Sequence, residues 1–175
     1  MLKPGDKAPP FALPSTTNGS IGRVSLDALR TELVVMFFYP RDFSFICPTE
    51  VIGFHHHRED FAGAGASIVG ISVDSVESHV QWAKELGGVN YPLAADAKGE
   101  VARLYGVFED KEQVAMRATF ILDRRRTIAY AVASQINVGR SVSETLRVVR
   151  ALRSGQLCPA DWQPGDGVGP DGLKY

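Results

Sequence analysis

Cysteine is scarce in this chain. Among 175 residues there are two cysteines, with no CxxC pair and no cysteine–histidine grouping of zinc-finger spacing. This scarcity excludes a disulfide scaffold, a thioredoxin-type dithiol and a structural zinc site. Two cysteines in a chain without a secretion signal are more often catalytic or redox-active than structural. The thiols are therefore the first candidates for chemistry.

Charge imbalance and long apolar runs are also lacking. The net charge is −1, from 19 basic and 20 acidic residues. The chain therefore lacks the excess of basic residues that binding to nucleic acid or to a membrane surface requires. The longest apolar run, 33–39, is far shorter than the roughly 20 residues that span a bilayer. The N-terminal MLKPGDKAPPF has no apolar signal region. We therefore expect a cytoplasmic protein with no nucleic-acid or membrane partner.

The pattern of apolar residues predicts a single α/β domain. Strands are expected at 33–39, 67–73, 118–122 and 127–133, and helices at 48–62, 76–86, 98–105 and 141–153. An Asn-Gly pair at 18–19 predicts an N-terminal hairpin. The last twenty residues are rich in proline and glycine. We expect a compact domain at 1–155 and an irregular C-terminal arm at 156–175.

The stretch 37–50, FFYPRDFSFICPTE, carries the strongest chemical signal. It follows the buried strand at 33–39, and Cys47 is followed at once by Pro48. Proline suits the first turn of a helix, and an acidic residue there, Glu50, suits the positive end of the helix dipole. A thiol at a helix N-terminus ionises more readily, and the thiolate is the reactive form. Cys47 is thus predicted to be a nucleophile.

Three motifs resemble the typical two-cysteine peroxiredoxins, the family that includes the alkyl hydroperoxide reductase catalytic subunit. Pro40, Ser44 and Cys47 match its active-site spacing, within FYP and CPTE flanks. CPADWQPGD, which begins at Cys158, matches a second block. MRATFILD matches a third block and assigns that block's arginine to Arg117. The resemblance covers nearly the whole chain and implies a thioredoxin-like sandwich with an N-terminal hairpin extension.

The resemblance also implies a mechanism. Cys47 attacks a hydroperoxide and becomes a sulfenic acid, while Arg117 and Ser44 bind the peroxide oxygens. Pro40 shields the site, and Glu50 holds the arginine. Cys158 then resolves the sulfenic acid from the partner subunit of a homodimer, which can assemble into a decamer. A thioredoxin-like protein or a dedicated flavoprotein reduces the disulfide. This chain needs no metal, haem or flavin cofactor.

Two departures from the family pattern carry expectations of their own. The GGLG insertion and YF-containing terminal helix of easily overoxidised members are lacking, since the chain reads GGVNYPL at 87–93 and ends GPDGLKY. We expect a site that resists overoxidation because the arm can swing freely. The segment INVGRS at 136–141 is three residues shorter than its family counterpart. The shortening leaves open where Arg140 lies.

Several alternative interpretations remain open at this stage. Cys47 could be an inert buried thiol and Cys158 an idle surface thiol. The other site residues also have simple structural interpretations. Arg117 could form an ion pair on a strand face, Glu50 could be a first-turn dipole residue, and Ser44 could be a turn residue. The alternative function is a redox-regulated chaperone, whose action on aggregating clients would survive Cys47→Ser. A metal sensor built on the histidines at 55–57 is disfavoured, because consecutive helical side chains diverge by about 100°.

Overall fold

The computed structural model describes residues 1–172. Within this range lie nine strands: β1 (Ala12–Thr17), β2 (Ser20–Ser25), β3 (Leu33–Phe38), β4 (Ala66–Ser72), β5 (Leu93–Ala95), β6 (Phe108–Glu109), β7 (Val114–Ala115), β8 (Arg117–Leu122) and β9 (Ile128–Ser134). The helices are α1 (Cys47–His56), α2 (Arg58–Gly63), α3 (Val76–Glu85), α4 (Glu100–Leu104) and α5 (Val142–Ser154). Short 3-10 turns lie at Leu26–Ala28 and Gly169–Gly172.

Seven of the described strands form one mixed sheet in the order β2-β1-β5-β4-β3-β8-β9. The strand β3 pairs in parallel with β4 and antiparallel with β8. All six of its residues are buried, as a continuous apolar run predicts for a central strand. The expected α/β thioredoxin-like sandwich is therefore confirmed.

Alternate residues of β3 supply two cores, one on each face of the sheet. Val35 and Phe37 pack with α1, α2, α3 and α5 on one face. Val34 and Met36 pack with α4 and the N-terminal segment on the other. This division follows from the period-two alternation of side chains along a strand. The carboxyl end of β3 therefore lies between the two cores, and α1 begins at this end.

Gly70 in β4 is required by close packing of the core. A Cβ atom built on it would lie 2.7 Å from Phe37 Cζ and 2.9 Å from Leu93 Cδ2. The Phe37 ring is itself stacked on Phe54 of α1, with 4.4 Å between centroids. It therefore has little room to move away. The glycine allows the ring to lie flat against the strand that neighbours β3.

Most predicted elements are confirmed within one or two residues, including the hairpin at Asn18 and the cap of α5. Ser141 Oγ accepts the Glu144 N–H at 3.1 Å, and Gly155 ends the helix in the left-handed conformation. The predicted helix 48–62 is wrong as a single helix. It is interrupted at His57, whose backbone (φ −93°, ψ 8°) departs from helical geometry. The β6–β7 hairpin was not predicted, because its strands have two residues each.

The buried face of α3 also differs from its prediction. The apolar pattern indicated Val76, Val80 and Ala83 as inward residues. The structure confirms Ala83, but it buries His79 and Trp82 with it and leaves Val76 and Val80 only partly buried. A polar side chain gave no apolar signal, yet its position one turn before Ala83 puts it on the same face. Trp82 is a packing group on this face, since the centroid of its ring lies 5.7 Å from that of Tyr39.

Residues 156–172 of the C-terminal arm are largely irregular but are held against the rest of the fold. Trp162 is buried, and its carbonyl accepts a hydrogen bond from Arg147 of α5 at 3.4 Å. Trp162 is therefore a packing group. Residues 173–175, part of the terminal sequence behind the overoxidation expectation, lie outside the described residues. No helix in the described chain is long and apolar enough to cross a bilayer.

Candidate active site

Cys47 is the first residue of α1, directly beyond the carboxyl end of β3. Pro48 follows in the first turn, as the sequence predicts. The Cys47 side chain has no exposed surface, so the sulfur has no contact with solvent in this conformation. The N-terminal peptide N–H groups of α1 add partial positive charge beside it. The local sequence therefore places the thiol at the N-terminus of a helix, as predicted.

The strand pairing brings Arg117 to this sulfur. β8 runs antiparallel to β3, and Ala118 is the register partner of Phe38. The first residue of β8 therefore lies beyond the last residue of β3. Arg117 Nη1 donates to Cys47 Sγ at 3.3 Å, while its Nε donates to the Ile136 carbonyl at 2.8 Å. The buried guanidinium is therefore in direct contact with the sulfur.

Glu50 joins two buried arginines beside the thiol. Its Oε2 accepts Arg117 Nη1 at 2.6 Å, and its Oε1 accepts the Arg140 backbone N–H at 2.9 Å. The Arg140 guanidinium also lies within ion-pair distance of Glu50, at 3.1 Å. One carboxylate and two guanidiniums leave a net positive charge. Ionisation of Cys47 would neutralise that charge.

The shortened loop at 136–141 does not displace Arg140. Its guanidinium donates to the Phe38 carbonyl at 2.6 Å and to the Ala118 carbonyl at 2.9 Å. These two residues form the last register pair between β3 and β8. Burial lowers the pKa of the Arg140 guanidinium from its ordinary value, and Glu50 opposes this shift. Arg140 thus belongs to the site, and its placement, open from sequence, is settled by these contacts.

Pro40 and Ser44 lie in the loop between β3 and α1. Pro40 is buried, while Ser44 is partly exposed. The Ser44 hydroxyl donates to the Arg41 carbonyl at 3.2 Å. Among the described residues it makes no hydrogen bond to Cys47, Arg117 or Glu50. The structure therefore brings Cys47, Arg117 and Glu50 into contact, with the Ser44 hydroxyl directed at its own loop.

Cys158 lies at the other end of α5 from this cluster. Its Sγ is 3.4 Å from Ser154 Oγ, at the C-terminal end of the helix. Arg140, which contacts Glu50, precedes the N-terminal end. The 13-residue helix is about 20 Å long. A disulfide requires Cα atoms within about 7 Å. In the described chain both cysteines are free, and the fold does not bring them together.

Sequence reasoning missed a buried polar cluster behind the loop. Asp42 accepts hydrogen bonds from Tyr39 and His79, at 2.9 and 2.8 Å. His79 is fully buried. Asp42 lies within the stretch 37–50, but neither it nor His79 was among the predicted site residues. The one available signal was a histidine at helical spacing from two buried residues of α3.

The three consecutive histidines do not converge. His57 pairs with Asp60 at 3.0 Å, whereas His55 Nδ1 accepts the Asn90 N–H at 3.3 Å. His56 is exposed. Across residues 1–172, no three histidine, cysteine or acidic side chains are grouped as a metal ion would require.

Comparison with known proteins gives consistent matches. Residues 4–131 match the model of the AhpC/TSA family. A putative peroxiredoxin from Synechocystis is 41% identical, over 95% of this chain and 88% of that protein. Peroxiredoxin-2 from Mus musculus is 40% identical, over 92% of this chain and 86% of that protein.

Solved structures agree with the sequence matches. The reduced 2-Cys peroxiredoxin of Plasmodium vivax superposes with a TM-score of 0.88 at 30% identity, over 96% of this chain and 93% of that one. AhpC of Mycobacterium tuberculosis gives 0.85 at 33% identity, over 93% and 99%. A thiol at a helix N-terminus beside a buried arginine is also the arrangement that a thiol-dependent peroxidase needs. The chain therefore belongs to the AhpC/TSA family of peroxiredoxins, and it is an oxidoreductase of the peroxidase type.

Proposed function

We propose that Cys47 is the nucleophile that reduces hydrogen peroxide and small organic hydroperoxides. The observation that carries this proposal is the 3.3 Å contact between Arg117 Nη1 and Cys47 Sγ, backed by the 2.6 Å bond from the same nitrogen to Glu50. The carboxylate fixes the guanidinium against the sulfur. The guanidinium in turn offsets the charge of a thiolate in a buried site.

In the proposed reaction the Cys47 thiolate attacks the terminal oxygen of a hydroperoxide. The S–O bond forms as the O–O bond breaks, and the leaving oxygen takes a proton and departs as water or alcohol. Cys47 becomes a sulfenic acid. Arg117 donates to the peroxide oxygens and stabilises negative charge on the leaving oxygen. The Ser44 hydroxyl turns from the Arg41 carbonyl to the peroxide, and Pro40 keeps water from the sulfur.

We propose that Cys158 of a partner subunit resolves the sulfenic acid. Thiolate attack on the sulfenic sulfur forms a disulfide and releases hydroxide, which becomes water on protonation. The length of α5, about 20 Å, separates the two thiols of one chain and supports an intersubunit reaction. Such a cycle requires a homodimer, which can assemble further into a decamer. A thioredoxin-like protein or a dedicated flavoprotein reductase completes the cycle.

The test is a non-reducing gel after one equivalent of peroxide, with parallel measurement of peroxide loss. We expect a disulfide-linked dimer that requires both Cys47 and Cys158. Cys47→Ser should abolish peroxide loss, whereas Cys158→Ser should retain one turnover and form no covalent dimer. A monomeric disulfide would refute the intersubunit step. Undiminished peroxide loss in Cys47→Ser would refute the assignment of the nucleophile.

A further inference from the structure

Asp42 anchors the loop that carries Pro40 and Ser44, the two residues to which the proposed function gives a role beside the peroxide. In the fully described segment 41–46 it is the only buried residue. Its neighbour Phe43 has φ 52°, a conformation that costs a non-glycine residue free energy and persists only when its surroundings hold it. Ser44 follows immediately. The contacts that hold Asp42 in place therefore also set the direction in which the loop presents Ser44.

Four hydrogen bonds hold Asp42 in place. Its carboxylate accepts from the hydroxyls of Tyr39 (2.9 Å) and Ser78 (2.8 Å) and pairs with His79 Nδ1 (2.8 Å). Its backbone N–H donates to Asp74 Oδ2 at 2.9 Å. These partners come from the ends of β3 and β4 and from the first turns of α3. The anchor thus ties the loop to the sheet and to one helix.

His79 is the imidazole partner of Asp42 in this cluster. Its side chain is fully buried, and its Nε2 has no hydrogen-bond partner among the described residues. A proton on Nε2 would be a buried donor without an acceptor. A proton on Nδ1 instead has an acceptor, the Asp42 carboxylate at 2.8 Å. Burial raises the pKa of the Tyr39 hydroxyl, and Asp42 raises it further, so this hydroxyl also remains a donor.

We propose that Asp42 and His79 are positioning residues for the peroxide reaction. Through their hydrogen bond they hold the loop 40–46 so that Pro40 and Ser44 face the peroxide at Cys47. The inference rests on the proposed function. None of the hydrogen bonds of this pair reaches Arg117 or Glu50, which set the charge around the sulfur. Loss of the pair should therefore slow the reaction without shifting its pH dependence.

The experiment measures single-turnover oxidation of Cys47 by hydrogen peroxide from pH 5 to pH 9, by rapid quench, in a Cys158→Ser background. His79→Leu removes the donor. His79→Asn retains a donor at the position of Nδ1. Ser78→Ala removes a different donor to the same carboxylate oxygen and is the variant to use if His79→Leu does not fold. His56→Leu makes the leucine substitution at an exposed histidine and is the matched control.

We expect His79→Leu to lower the plateau rate constant about tenfold to hundredfold, the loss typical of a displaced reacting group, with an unchanged pH midpoint. His79→Asn should restore it to within about threefold, and Ser78→Ala should cost about threefold or more, as one lost hydrogen bond does. His56→Leu should match the parent. A parental plateau in His79→Leu, a shifted midpoint, or His79→Asn as slow as His79→Leu would overturn the proposal. So would a parental rate in Ser78→Ala.

Hydrogen exchange separates this proposal from the function on which it rests. If the parent does not consume peroxide, the proposed function fails, yet the anchor can still be measured. Amide exchange over 41–46 should then accelerate in His79→Leu and not in His56→Leu, while α1 stays protected. Unchanged exchange in that loop would overturn the anchoring role itself.

Discussion

Replacing Glu50 by glutamine removes the negative charge that two buried arginines share. The side chains of Glu50, Arg117 and Arg140 are 1%, 3% and 6% exposed. Glutamine keeps the shape of the side chain and takes from both guanidiniums the carboxylate that they share. Breaking a buried ion pair by removing one partner costs about 3–5 kcal/mol of unfolding free energy. For a domain of this size that corresponds to a fall in Tm of about 6–20 °C.

The matched control is Glu144→Gln. Glu144 accepts two hydrogen bonds from Arg147, at 2.6 and 2.8 Å, but its side chain is 45% exposed. An ion pair in contact with solvent contributes at most about 1 kcal/mol. Urea unfolding of the reduced proteins, at one protein concentration and neutral pH, compares the two variants directly. Glu50→Gln within about 1 kcal/mol of the parent, or equal losses in both variants, would refute the reasoning from burial.

Three further predictions concern the arginine beside Cys47, the arm and the core. Arg117→Lys retains the charge but cannot make all the bonds of the planar guanidinium, so single-turnover oxidation by peroxide should slow about 10²–10³-fold. Trp162→Leu removes the indole that packs the arm, so limited proteolysis after residue 156 and disulfide formation by Cys158 should both accelerate, with the Tm of the domain nearly unchanged. Gly70→Ala should cost about 1–3 kcal/mol by overpacking, measured by urea unfolding, whereas Gly22→Ala, with open space around it, should be nearly neutral.

Each of these has a contradicting outcome. Peroxide oxidation of Arg117→Lys within about threefold of the parent would show that charge alone suffices at this position. If Trp162→Leu left both proteolysis and disulfide formation unchanged, the indole would not be what retains the arm. Equal unfolding free energies for Gly70→Ala and Gly22→Ala would mean that the Phe37 ring can move aside.

Local sequence signals predicted the elements around Cys47 well. The continuous apolar run predicted the central strand, and Pro48 with Glu50 predicted the helix that begins at Cys47. Both are short-range effects, set by neighbouring residues. The resemblance to the peroxiredoxins added Arg117, which no local pattern distinguishes from a strand-face ion pair. The structure places it 3.3 Å from the sulfur.

Contacts between distant segments were beyond such signals. The hydrogen bonds from Arg140 to Glu50 form because the loop before α5 returns to the sheet. The length of that loop in the sequence gave no indication of this return. The bond from His79 to Asp42 joins a helix face to a loop 37 positions away. The apolar pattern was misleading there, because it ranks valines above a histidine for burial. A buried polar group is predictable only once its partner is known.

Sequence alone thus determined where the chain forms strands and helices and which thiol begins a helix, because propensity, apolar periodicity and capping act over a few residues. Tertiary structure decided what surrounds that thiol. Antiparallel pairing of β3 with β8 places a guanidinium beside a sulfur 70 positions earlier, and α5 separates the two cysteines by its own length. Charge and distance at the site are properties of packed segments, which a one-dimensional pattern does not contain.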